Sequence, residues 1–194
     1  MVPGSRFRVQ GSRFWVKELS CVRYMTLNHE PGTRNLFAER KHMSEIKRIG
    51  DQLKRAFEGK AWHGPSVSEV LAGVTAEQAA RHPLPDAHSI WEITLHIATW
   101  ERVGRRRVDE SAPIDVSDDE DWPQVEDTSD EAWKTTLDEL KRNHEALREA
   151  IARLDEARLA EIVPGTIYSI YFLLHGVIQH DLYHAGQIAL LKKA

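Results

Sequence analysis

Apolar positions spaced three and four apart run through most of the chain from residue 43 onward. Ile46, Ile49, Leu53 and Ala56 predict a first helix from Ser44 to about Glu58, since that spacing puts them on one helical face. Gly59 and Gly64-Pro65 end it. Ser66…Glu69 and Thr75…Gln78 each match a capping box, in which hydroxyl and acid or amide side chain satisfy free N–H groups reciprocally, so two short helical turns are expected there. Pro83 and Pro85 interrupt the chain. A second long helix is expected from the Ser89…Glu92 box, with the stripe Ser89, Ile93, His96, Trp100, Val103. Arg105, Arg106 and Arg107 lie toward its C-terminus, where the helix dipole favours cations. A third follows a Thr128…Glu131 box and carries Trp133, Leu137, Leu140, His144, Leu147, Ile151 and Leu154. After Pro164-Gly165 a fourth runs from about Thr166 to Lys192 on the seam Ile170, Leu173, Val177, His180, His184, Gln187, Leu191. No segment alternates as a strand does, so the expected fold is all-α, a four-helix bundle. The connection between its first two long helices, about 30 residues, is long enough to cross over.

Charge divides the chain in two. Residues 1–42 carry eight Lys/Arg and three acids, +5, against −4 for the whole, which leaves −9 for residues 43–194. The first segment has no helical or strand period. It reads as a poorly ordered extension, with Met43 the natural start of the domain. A transit segment and a functional basic arm are the alternatives. The acidic domain argues against nucleic-acid binding. The run Asp115–Asp127 reads as a solvated loop. The uncharged run 162–179 is short and broken by Pro164-Gly165, so no membrane span is expected. The single cysteine, Cys21, excludes an internal disulfide framework and fits a reducing, cytoplasmic location.

The seams carry the chemistry. His96, His180 and Gln187 stand where apolar residues belong, and His184 follows His180 by one turn on the same face. A buried polar group without a partner costs about 1–3 kcal/mol, so something must satisfy them. Two readings stand. In one, His180 and His184 join a third histidine, His96 or His144, around a divalent ion with an open coordination position. In the other, each histidine is hydrogen-bonded separately within the core. Glu92, one turn before His96, is a candidate to orient it, with helix capping as the alternative role. Gln187 and Tyr183 are candidate helpers beside His184, and His63 is a candidate cover for the site. His175 should face away. Trp91, Trp100 and Trp133 read as core.

The blocks Gly59–Ser66, His88–Glu92 leading to His96, and His175–Ile188, with its H-D-x-Y-H-x-G-Q core, resemble the DinB/YfiT superfamily over about residues 43–193. (This is the damage-inducible bundle family, not the polymerase of the same name.) The resemblance implies an up-down-down-up bundle with a metal held by one histidine of the second long helix and two of the fourth, by position His96, His180 and His184. It implies a zinc-, nickel- or similar ion-dependent enzyme that acts on small molecules in detoxification or stress response. Members of the family include thiol-dependent S-transferases, hydrolases and mycothiol-dependent maleylpyruvate isomerases. A low-molecular-weight thiol is then a possible co-substrate and a homodimer an expected assembly. Fold does not fix activity, so a non-catalytic metal- or ligand-binding stress protein is the alternative.

Overall fold

The computed structural model describes residues 43–194; the N-terminal extension, Cys21 included, lies outside the described residues. Four long helices form the bundle: α1 (Glu45–Glu58), α4 (Ile90–Asp109), α6 (Asp130–Arg153) and α7 (Ile170–Leu191). Three short helices, α2 (Val67–Leu71), α3 (Ala76–Ala80) and α5 (Asp118–Asp121), lie in the connections, with a 3₁₀ turn at Glu156–Ala160. Helix α6 packs on α4 and α1, and α7 packs on the same two, so the long helices stand in the ring order α1–α6–α4–α7.

Local chemistry explains the boundaries. Ser44 caps α1, and the boxes Ser66/Glu69, Thr75/Gln78 and Ser89/Glu92 open α2, α3 and α4 with both reciprocal bonds made. The expected Thr128 cap is displaced by one residue. The Ser129 hydroxyl accepts from Ala132 N, while Asp127 accepts from Ser129 N and holds the approach. Helix α7 starts at Ile170, not Thr166. Residues 162 and 169 pair in an isolated antiparallel bridge around the Gly165 turn (φ +77°), so the chain stays extended until Ser169 caps the helix.

The core forms two apolar groups along the bundle. One gathers Val67, Leu71, Ile90, Trp91, Ile97, Trp133 and Ile188; the other gathers Ile49, Leu53, Leu147, Ile151, Leu174 and Val177. Helices α2 and α3 therefore belong to the core of one end. Gly104 lets α4 approach α7 closely, since a Cβ there would sit 3.2 Å from Val177 Cγ2. That approach brings the seam histidines of α4 and α7 together.

Candidate metal centre

His96, His180 and His184 each bring one ring nitrogen within 4.8 Å of the other two. Nε2 of His180 lies 2.9 Å from Nε2 of His96. The α4–α7 contact supplies the first histidine from one helix and the other two from successive turns of its neighbour. Tetrahedral ligands at about 2.1 Å from a zinc ion lie about 3.4 Å apart, so this spacing needs only small adjustments.

The tautomers are set from outside the cluster. The Asp121 carbonyl oxygen lies 2.7 Å from Nδ1 of His96 and can only accept, so Nδ1 carries the proton and Nε2 keeps its lone pair. Gln187 Oε1 does the same 2.6 Å from Nδ1 of His184. Two lone pairs therefore face the space beside His180, whose buried Nδ1 has no hydrogen-bond partner among the described residues. Burial lowers the pKa of His96 and pushes His180 and His184 down to about 4, so all three are neutral at physiological pH. For His184 the neighbouring His180 adds to that shift. Neutral imidazoles with converging lone pairs are the donor set that a divalent transition metal takes.

A surrounding layer comes from the acidic connection. Ser117 caps α5, and the turn presses Trp122 flat on His96, ring centroids 3.8 Å apart, while His88 stacks on Trp122 at 3.6 Å. The Asp121 carboxylate sits 3.1 Å from Nδ1 of His96 and accepts from Nε1 of Trp100 at 2.6 Å. This segment is not the plain solvated loop its charge suggests. Ser117…Glu120 followed by a tryptophan was the available signal. Trp100 is half-buried beside the cluster, where the sequence pattern expected core.

The remaining candidates fall as follows. Glu92 makes no hydrogen bond to His96; its carboxylate accepts from Ser89 N at 2.6 Å and meets His82 Nε2 at 2.9 Å. Tyr183 is exposed, with its ring 5.1 Å from that of His184. Trp62 and His63 lie exposed, and Trp122 is the aromatic side chain that covers the cluster. His175 packs on Tyr171.

His144 belongs to a second polar cluster, which sequence reasoning did not assemble. Its Nδ1 is hydrogen-bonded to Glu101 Oε1 at 2.8 Å, and its ring stacks on Phe57 at 3.8 Å. The Glu101 carboxyl faces that of Asp181, and both residues are fully buried. Burial, and for Glu101 also the neighbouring Asp181, holds both acids well above the ordinary carboxyl range. The two acids therefore share protons rather than ionise together.

Two openings matter. One, about 660 Å³, lies by α1, α2 and α6; Phe57 and His144 line it and none of the three clustered histidines does. A smaller cleft of about 260 Å³ runs between α4 and α7 and ends on His180. No helix among the described residues is long and apolar enough to cross a membrane.

No curated protein and no solved structure matches this chain. A family model described as the DinB superfamily matches residues 62–188, a span that includes all three clustered histidines, the Trp122 turn and the α4–α7 contact. All-helical architecture, a histidine group able to hold a metal ion and that match agree: the chain belongs to the DinB superfamily.

Proposed function

We propose that the chain is a divalent-metal-dependent enzyme acting on small molecules, with His96, His180 and His184 as the metal ligands. The observation that carries this is the locked tautomer pair. Asp121 and Gln187 hold the Nδ1 protons of His96 and His184, so that Nε2 lone pairs converge beside His180, where among the described residues no proton donor but His180 itself meets them. A bound divalent ion supplies Lewis acidity, lowering the pKa of a thiol or a water that enters the site. The protein's own contributions are separate. Trp122 lies flat on His96 and shields it, and the cleft lined by Trp100 and His180 admits a ligand. Three histidines leave a tetrahedral ion one open position, which suits catalysis better than a purely structural site.

The favoured reaction is thiol S-transfer to an electrophile, with hydrolysis the nearest variant. Both fit a role in detoxification or stress. The test uses the full chain without a polyhistidine tag. Metal content is read by plasma mass spectrometry, and turnover is read with cysteine or glutathione plus a chromogenic aryl halide, and with nitrophenyl esters. About one zinc or nickel per chain is expected. His96→Ala, His180→Ala and His184→Ala should each lose the metal and the turnover together, while His144→Ala keeps the metal. Failure of the wild-type protein to take up either ion would sink the proposal.

A further inference from the structure

The cleft between α4 and α7 has an uneven character. Its walls are apolar and aromatic, Trp100, Phe172 and Val177 among them; His180 lines it, and so do Arg107 and Tyr168. Helix α4 carries four arginines, at 102, 105, 106 and 107. Three meet acids: Arg102 with Glu120 at 3.4 Å, Arg105 with Asp109 at 3.3 Å and Arg106 with Glu110 at 2.9 Å. Among the described residues no carboxylate lies within 4.0 Å of the Arg107 guanidinium. It donates instead to neutral oxygens, the Tyr168 hydroxyl at 2.8 Å and the Ile114 carbonyl at 3.0 Å. Its carbon lies 5.5 Å from the Trp100 ring centroid, and its Nε is buried without a hydrogen-bond partner. These contacts fix the orientation of the guanidinium but do not neutralise it. A half-buried cation held in place beside apolar walls is a ready anion site, because low-dielectric surroundings strengthen its pull on an incoming negative charge.

Resting on the metal-enzyme reading above, we infer that this cleft selects small molecules with an apolar body and a terminal carboxylate. Arg107 binds the carboxylate, and the reactive group is presented at His180. A planar carboxylate suits the fork of a guanidinium better than a point cation would. The Tyr168 hydroxyl accepts from Arg107 and so retains its own proton to donate to the same anion. A single guanidinium also matches one negative charge rather than the two of a phosphate. The Arg107 guanidinium carbon lies 5.5 Å from the Trp100 ring centroid, and that ring lies 6.1 Å from the His180 ring, so one cleft wall is within reach of both the carboxylate and the reacting end. The cleft volume of about 260 Å³ falls at the small end for ligand sites and fits a compact aryl or alkyl acid.

The test compares 4-phenylbutyrate with its neutral amide by titration calorimetry on the full chain. It is run first on chelator-treated protein, so that the acid has no metal to bind. The acid should bind at least tenfold more tightly than the amide, and Arg107→Gln should reduce that preference to threefold or less. Arg107→Lys should retain part of it. Since Arg107 also braces Ile114 and Tyr168, melting curves accompany both variants. If Arg107→Gln does not fold, the wild-type acid-to-amide ratio and the Lys variant decide. Equal affinity for acid and amide would overturn the inference, as would no binding of either at millimolar concentration. So would a preference that survives in a folded Arg107→Gln protein. Failure of the metal reading shows separately, as absent zinc uptake with the acid preference intact.

Discussion

Asp181 and His180 are adjacent in sequence, yet they belong to two polar clusters that solve burial in opposite ways. Around Asp181 each long helix contributes one side chain: Phe57 from α1, Glu101 from α4, His144 from α6 and Asp181 from α7. Burial keeps the acids protonated and Glu101 is hydrogen-bonded to His144, while Glu101 Oε2, both Asp181 carboxyl oxygens and His144 Nε2 are buried without a hydrogen-bond partner among the described residues. Around His180 the groups are three neutral imidazoles, two with their protons already committed outward to Asp121 and Gln187. That cluster opens on the α4–α7 cleft; in the acid cluster both acids are fully buried, and only Phe57 and His144 line an opening, the one beside α1, α2 and α6. Composition alone would call both buried polar patches. Where the protons lie separates a brace between helices from a place that calls for a cation.

The largest effect should come from breaking the acid cluster. His144→Ala removes the hydrogen-bond partner of Glu101 and the ring stacked on Phe57, leaving a buried acid without its partner. A loss of about 3–5 kcal/mol in urea unfolding is expected from the cavity and the unpaired acid, with metal content unchanged. His180→Ala should do the reverse, losing the metal while costing the chelator-treated protein less than half as much stability. If His144→Ala lost the metal, or His180→Ala proved the more destabilising without metal, the division between the clusters would fail.

That division was only half legible in the sequence. The seam positions of His96, His180 and His184 follow from helical periodicity, because each lies on an apolar stripe that has to face inward. The caps at Ser66, Thr75 and Ser89 were equally readable, since a capping box is a local arrangement between residues three apart. Thr128 and Ser129 both offer a hydroxyl with an acid nearby, and Asp127 tips the choice to Ser129. What stayed hidden depends on packing between segments distant in sequence. Glu101 looks like a surface residue on a charged helix until α6 and α7 close over it. Trp122 lies in an acidic run whose charge says solvent, and only the folded α5 turn brings it onto His96. The run Arg105–Arg107 reads as three equivalent helix-end cations, although two pair along the helix and the third lines the cleft.

A second, smaller effect is the pH profile. Glu101 and Asp181 have folded pKa values raised above their unfolded ones, so the folded state holds protons that the unfolded state has released. Their contribution is present below the unfolded carboxyl pKa and is lost as pH rises through the folded values. His144, lowered to about 3 by burial, acts oppositely: its contribution is lost as pH falls below about 6.5. His180 and His184, lowered to about 4, add to that acid-side loss in the metal-free protein. Chelator-treated protein should therefore be most stable near pH 6. Each proton retained by the acid pair costs about 1.4 kcal/mol per pH unit, so between pH 6.5 and 8.5 the loss reaches at most about 2.7 kcal/mol per proton. Glu101→Gln gives Asp181 an amide donor and should flatten that alkaline limb. An unchanged slope in urea denaturation across this range would place the proton elsewhere.

The smallest effect tests how the open cluster is aimed. Asp121→Ala removes the carboxylate that faces Nδ1 of His96 and accepts from Trp100, but leaves the backbone carbonyl that holds the His96 proton. Loss of a group that orients a ligand lowers metal affinity about 10–100-fold, and with the carbonyl still in place the low end is expected. Stability without metal should change by about 1 kcal/mol or less, because the carboxylate is partly exposed. The measurement is zinc affinity by competition with a chromophoric chelator, with Gln187→Leu run alongside. Gln187→Leu removes the only acceptor that His184 Nδ1 has among the described residues, so its effect should exceed that of Asp121→Ala. A loss in Asp121→Ala as complete as in His96→Ala would mean that the acidic turn binds the ion itself, as a fourth donor, and would close the position left for a substrate.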